Sequence, residues 1–268
     1  MIRKRMGTRA RTYVEQLLAR GRHTFTRAEA EAALASSPLA TYHSLRRLLK
    51  CGWLAMPRRG LYLIIDPEYR HLGALPAATW IDDLMRFHGV PYYVGLLSAA
   101  ALHGAAHQQP QEFQVVAGAV LRPLTVGRVR IRFFFRRRMQ EAVTGSVRTP
   151  SGDIPVSTPE MTAYDLVRYR KGAGSIDHIA TVIAELAERM DAKKLLSVAK
   201  MGGELPVVQR LGWLLDRTGH AELGGDLEKL VRAGRGRMVL LEPGSRAKVS
   251  ARDAKWRVLV NTTVEVEA

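Results

Sequence analysis

The first seventy residues are cut by start and stop signals into segments that leave room only for short helices and one hairpin. From Thr8 onward the apolar residues Tyr13, Val14, Leu17 and Leu18 share one helical face, and Gly21 after Arg20 is a C-terminal stop. Thr26 followed three residues later by Glu29 has the form of a capping box, in which each side chain satisfies a backbone N–H that a helix start leaves unpaired. This second helix is predicted to run to about Ala35. Ser36-Ser37-Pro38 then breaks the chain and restarts it, with Ser37 as cap and Pro38 in the first helical position, and a third helix is predicted to end at Gly52. Trp53 and Leu54, the turn Pro57-Arg58-Arg59-Gly60 and the apolar run Leu61-Tyr62-Leu63-Ile64-Ile65 read as a two-stranded hairpin. Helix, helix, turn, helix, hairpin is the order of a winged helix-turn-helix domain, assigned here to residues 1–68.

Charge falls on the same segment. The chain of 268 residues has a net charge of +16, yet residues 1–70 hold 14 Lys/Arg against 5 Asp/Glu, residues 71–150 hold 9 against 4, and the remainder 18 against 16. The excess is therefore local, and the first segment is the expected polyanion contact. In its third helix Tyr42, Leu45, Leu48 and Leu49 are assigned to a packed side. His43, Arg46, Arg47 and Lys50 fall mostly opposite, with Ala40 and Ser44 beside them, and the hairpin turn would carry Arg58 and Arg59 at the tip of a wing. Guanidinium groups suit guanine edges and phosphates, and short side chains permit close approach, so these eight residues are the expected contacts to double-stranded DNA. A solvated helix face is the other outcome that the same residue types allow.

At 47% hydrophobic and 25% charged the chain can bury a core, which excludes intrinsic disorder. The lone cysteine, Cys51, rules out both a disulfide framework and a Cys-based zinc site within one chain, and its place beside Gly52 at a helix end reads as inert. No apolar run approaches the roughly 18 residues of a membrane span, and the basic start, Met1 to Arg11, lacks the apolar stretch of a signal peptide. A cytoplasmic location with no membrane partner is expected.

Residues 69–268 read as a larger mixed α/β domain, making the whole an α+β protein. Trp80, Ile81, Leu84, Met85 and Phe87 mark a helix ended by Gly89. Tyr92 to His103 is almost entirely apolar or small and is predicted to be one buried helix at the centre of this domain. Phe113 to Ala117 reads as a strand, as does Arg128 to Arg136, where Val129, Ile131, Phe133 and Phe135 alternate with Arg130, Arg132, Phe134 and Arg136. Arg128, Arg130, Arg132 and Arg136 could form a second basic surface for nucleic acid or a partner, or could simply protect a sheet edge. Val143–Arg148 and Ile154–Ser157 form a hairpin, and Thr158-Pro159 starts a helix to about Tyr169. Helices follow over 176–190, 195–201, 207–219 and 222–232, then two closing strands over 238–241 and 256–260.

The chain offers no catalytic pattern. His103 and His107 are four apart without an intervening Glu or a third ligand, and neither a phosphate-binding glycine loop nor a G-x-S-x-G elbow occurs. Gly234-Arg235-Gly236-Arg237 is too short to be more than a loop. Asp165, Asp177, Glu185 and Asp216 lie on separate predicted helices, where capping and surface roles are the default. No metal, cofactor or enzymatic activity is expected.

Several stretches resemble the AbiEi antitoxins of type IV toxin-antitoxin and phage abortive infection systems. They are Pro91 to Gly104 with Gln108 to Val116, Ser157 to Val167, Gln209 to Asp216 and Trp256 to Asn261, and the stretch from Pro91 to Val116 is the most specific. The resemblance spans nearly the whole chain. It implies an N-terminal winged helix that binds inverted repeats in its own promoter and represses the operon. It also implies a C-terminal antitoxin domain that opposes a nucleotidyltransferase-like toxin, with no requirement for a tight complex. The family supplies no catalytic motif to carry over. Two other readings fit the residues: a stand-alone regulator whose C-terminal domain senses a ligand or dimerises, and a C-terminal enzyme acting on nucleic acid or on the toxin's product.

Overall fold

The computed structural model describes residues 2–105, 110–234 and 236–265, with side chains from residue 9 onward. The chain opens with α1 (Ile2–Ala19), β1 (Thr24–Thr26), α2 (Arg27–Leu34), α3 (Pro38–Lys50), β2 (Leu54–Arg58) and β3 (Leu61–Ile64). The local signals act as read: Thr26 and Glu29 form a complete capping box, and Ser37 Oγ accepts from the Ala40 N–H at 3.3 Å with Pro38 in the first turn. α1 begins earlier than its apolar pattern, at Ile2. β3 lies between β1 and β2, antiparallel to both, with a bulge at Met56-Pro57, where proline has no N–H to offer the ladder. Val14, Leu17, Phe25, Leu45, Leu54, Tyr62 and Ile64 fill the small core beneath the helices. This is a winged helix-turn-helix.

The second part follows as α4 (Ala77–His88), β4 (Tyr92–Val94), α5 (Leu96–Leu102), β5 (Phe113–Ala117), β6 (Leu124–Val126), β7 (Val129–Phe135), β8 (Thr144–Thr149), β9 (Gly152–Ser157) and α6 (Pro159–Arg168). α7 (Ile176–Ala187), α8 (Ala192–Gly202), α9 (Leu205–Arg217), α10 (Gly225–Ala233), β10 (Val239–Leu240), β11 (Ala251–Asp253) and β12 (Val258–Val260) complete it. Six strands form a mixed sheet in the order β6-β7-β5-β4-β9-β8, with β5 parallel to β7 and β4 parallel to β9. Its two faces bury different cores. Tyr93 and Val116 face α5, α6 and the bundle of α7 to α10, while Val94, Val115, Ala117, Ile131, Ile154 and Val156 face α4.

The predicted single helix over 92–103 is instead β4 followed by α5, because Tyr92–Val94 is captured between β5 and β9. α5 is buried, but the most enclosed helix is α6, whose residues from Glu160 to Val167 are all buried. The last sheet, β10-β12-β11, gains a strand over Ala251–Asp253 that the sequence pattern did not mark.

The two parts share a strand. Tyr62 and Ile64 of β3 point into the helix-turn-helix core, while Leu61, Leu63 and the following Ile65 join Trp80, Ile81, Leu84 and Met85 in the core of the second part. An unbroken apolar run in a strand signifies two covered faces, and that is the case here. No helix among the described residues is long and apolar enough to cross a membrane.

Candidate nucleic-acid interface

At 100° per residue, α3 divides cleanly into two sides. Thr41, Ser44 and Leu45 are buried, and Thr41 Oγ1 is held by Ser36 Oγ at 2.7 Å. Leu39, Tyr42, His43, Arg46, Arg47 and Lys50 are exposed. The seam is rotated by about one residue from the predicted one, with two corrections. Tyr42, assigned to the packed side, is 42% exposed, and its ring stands edge-on to His43 at 5.5 Å. Ser44, assigned to the outer side, is 3% exposed and accepts from Arg47 Nη2 at 3.4 Å, so it forms the floor of this face.

Ser37, Leu39, Ala40, His43, Ser44, Arg46, Arg47 and Lys50 line one open concavity along the helix. Six of them are the residues expected on α3 from the sequence: Ala40, His43, Ser44, Arg46, Arg47 and Lys50. α3 contains no acidic residue, so the face is cationic, with Arg46 and Lys50 left without a carboxylate among the described residues. Leu39 and Tyr42 are what the sequence reading missed. The available signal was the spacing 39, 43, 46, 50, which places Leu39 on the stripe of Arg46 and Lys50.

The wing divides its two arginines. Arg59 is exposed at the turn. Arg58 turns back: its Nε donates to His88 Nε2 at 3.3 Å and its Nη2 to the Arg122 carbonyl at 3.3 Å. Burial first, and the Arg58 guanidinium second, hold His88 below the usual imidazole range, which keeps Nε2 an acceptor.

On β7 the expected basic outer face is only partly present. Arg128 and Arg130 are exposed, and Arg132 is half-buried, 3.6 Å from Glu112 with its guanidinium over the Phe134 ring. Arg136 is 2% exposed and lies 3.5 Å from the fully buried Asp165, so it belongs to the interior and not to a basic surface. The reason is that α6 and the helical bundle cover this end of the sheet, with Phe134 packed against Tyr169. Asp165 also accepts from Tyr93 Oη at 2.6 Å, and its burial pushes the carboxyl up to about 6.

The acids that might have formed a catalytic set have other employment. Asp216 accepts from Trp256 Nε1 at 2.7 Å and from Lys255 Nζ at 2.6 Å, and Asp177 accepts from the Glu265 N–H at 2.9 Å. Among the described residues no three His, Cys, Asp or Glu side chains gather as metal ligands would. His103 Nε2 donates to the Ser157 carbonyl at 2.7 Å, a role that closes α5 onto β9. Its expected neighbour His107, and Arg235 of the glycine-arginine loop, lie outside the described residues. Cys51 is exposed at the end of α3.

Residues 13–65 match the family described as a transcriptional regulator, AbiEi antitoxin, and residues 93–217 match the AbiEi antitoxin C-terminal domain. No curated protein matches the chain. Among solved structures, the crystal structure of RV2827C protein from Mycobacterium tuberculosis is similar with a TM-score of 0.69 at 17% identity, over 94% of this chain and 90% of that one. An antigenic nucleotidyltransferase-like protein from Paracoccidioides brasiliensis reaches a TM-score of only 0.36, at 10% identity over 57% of this chain and 89% of that one. The whole-length similarity establishes a shared fold, and the two matched segments, one in the winged helix and one in the sheet and helices behind it, establish that the chain belongs to the AbiEi antitoxin family.

Proposed function

We propose that this chain is an autoregulating antitoxin: α3 binds double-stranded DNA at inverted repeats in its own promoter, and the C-terminal part opposes a nucleotidyltransferase-like toxin encoded beside it. The observation that carries the DNA reading is the acid-free outer face of α3, where His43, Arg46, Arg47 and Lys50 stand clear of the core. A helix of this width fits the major groove, and Arg59 on the wing reaches toward the flanking backbone. Arg128 and Arg130 add an exposed basic strip that a longer DNA path could use. The antitoxin reading rests on the family of residues 93–217 and does not require a stable complex with the toxin.

The test is a mobility shift on the chain's own promoter fragment across salt concentrations. For about six neutralised phosphates, log K falls against log[salt] with a slope of about −5. The double variant Arg46→Ala, Lys50→Ala should weaken binding and make that slope shallower, while a co-expressed toxin is still neutralised. Unchanged promoter affinity in that variant would refute the assignment of α3. Loss of neutralisation together with DNA binding would refute the division of roles.

A further inference from the structure

Leu39 occupies an odd place for a leucine. It is 67% exposed, on the side of α3 opposite Leu45 and the core. Its helical neighbours at offsets of 4, 7 and 11 residues are His43, Arg46 and Lys50, so an apolar side chain stands at the N-terminal end of a cationic stripe. Packing within the chain does not account for it. If the stripe enters the major groove, the position acquires a chemical meaning. Base edges there present acceptors and amino donors at every pair, and the only apolar group is the C5 methyl of thymine. A leucine has nothing to give to N7, O6 or N4, and covering those groups would strip them of water without replacing the hydrogen bond. Thymine is the one base whose edge complements it.

We propose that Leu39 is a specificity-determining residue that reads a thymine methyl group in the operator. The proposal rests on the DNA-binding reading of α3 given above. Leu39 is in the first turn of the helix, the end from which recognition helices reach base edges. Arg46 lies seven residues further, about 10 Å along the axis, so its partner falls about three base-pair steps from that thymine.

The experiment is a deoxyuridine scan. Thymines of the chain's own promoter fragment are replaced one at a time by deoxyuridine, which removes only the methyl group, and affinity is measured at one fixed salt concentration for the full-length chain and for Leu39→Ala. One position should weaken the wild-type complex about four-fold, the effect of one buried methyl, and the same replacement should leave Leu39→Ala unaffected. Because Leu39 is exposed, the variant should keep the wild-type melting temperature, which a thermal unfolding curve verifies. A scan in which no thymine matters, or in which the sensitive thymine is equally sensitive for Leu39→Ala, overturns the assignment while leaving DNA binding intact. If the wild-type chain does not retard the fragment at all, the DNA reading falls, and this assignment with it.

Discussion

The indole of Trp256 is the pin that fastens the closing sheet to the helical bundle, and a single methyl group should dislodge it. The ring is fully buried, with two glycines packed close to it, Gly212 of α9 and Gly224 before α10. A Cβ at Gly212 would stand 2.1–2.4 Å from three ring atoms, whereas carbon atoms rest comfortably at about 3.5–4.0 Å, so the ring must retreat by well over 1 Å. Gly224 crowds the ring as well, since a Cβ there would stand 3.0–3.2 Å from Cζ2 and Cη2. Retreat would also break the 2.7 Å bond from Nε1 to the Asp216 carboxylate. Alanine is favoured over glycine inside a helix by about 1 kcal/mol. Overpacking costs about 1–3 kcal/mol, and a lost hydrogen bond to a charged group about 1.5–3 kcal/mol. Gly212→Ala should therefore destabilise the chain by roughly 2–4 kcal/mol despite the gain in propensity. Gly225→Ala is the control: it lies in the first turn of α10, exposed, with nothing within 4 Å of the new methyl, and should stabilise by up to about 1 kcal/mol. Urea unfolding followed by far-UV circular dichroism measures both. A Gly212→Ala variant as stable as wild type would refute the pinning argument, because it would mean that the ring has room the structure denies it.

The buried carboxyl of Asp165 predicts a pH signature. Its folded value of about 6 lies above the ordinary 3.8, so between these values the folded state holds more protons than the unfolded one, and this group's contribution to stability falls as pH rises. The stability of wild type relative to Asp165→Asn should therefore grow as pH is lowered from 6 toward 4, by at most about 1 kcal/mol per pH unit, and urea titrations at several pH values would detect the opposite slope. The two wing arginines should separate in a promoter-binding assay. Arg59→Ala should make the salt dependence of affinity shallower by about one ion, while Arg58→Ala should mainly lower the melting temperature by loosening α4 and the Arg122 loop. Equal salt slopes in the two variants would contradict this division.

What the sequence disclosed was local. Thr26, Ser37 and Thr158 announce their helices because a cap acts within four residues, and β5, β8 and β9 are marked by turn residues beside them. Tyr92-Tyr93-Val94 misleads because its strand conformation comes from distant partners, Val115–Ala117 and Val156, that a window of neighbours does not contain. Arg136 illustrates the same limit at the level of one side chain. Strand alternation puts it on the face with Arg130 and Arg132 correctly, but that face becomes interior only where α6 delivers Asp165. On α3 the periodicity yielded the cationic side, and the phase was off by one residue because Thr41, drawn inward by Ser36, takes the place given to Tyr42. Leu39 is the kind of residue such patterning does not single out, because hydrophobicity by itself says nothing of exposure.

The shared strand decides how the two activities can be dissected. Excising residues 1–68 would remove Leu61, Leu63 and Ile65, each buried against Trp80, Ile81, Leu84 and Met85. A large aliphatic side chain contributes about 1.5–3 kcal/mol on burial, so three amount to roughly 5–9 kcal/mol, of the order of a whole domain's stability of about 5–15 kcal/mol. The loss is compounded because the face of α4 they covered becomes an exposed apolar patch. The fragment 69–268 should accordingly aggregate or lose cooperative unfolding, whereas the full chain carrying Arg46→Ala and Lys50→Ala keeps its fold. Size-exclusion chromatography and thermal unfolding of the two samples compare them directly. A monomeric fragment that unfolds cooperatively near the full-length melting temperature would show that the second core closes without β3. Absent that result, a failure of the fragment to neutralise a toxin reports a broken core and says nothing of the winged helix, so point substitutions on α3 are the sound way to separate DNA reading from antitoxin action.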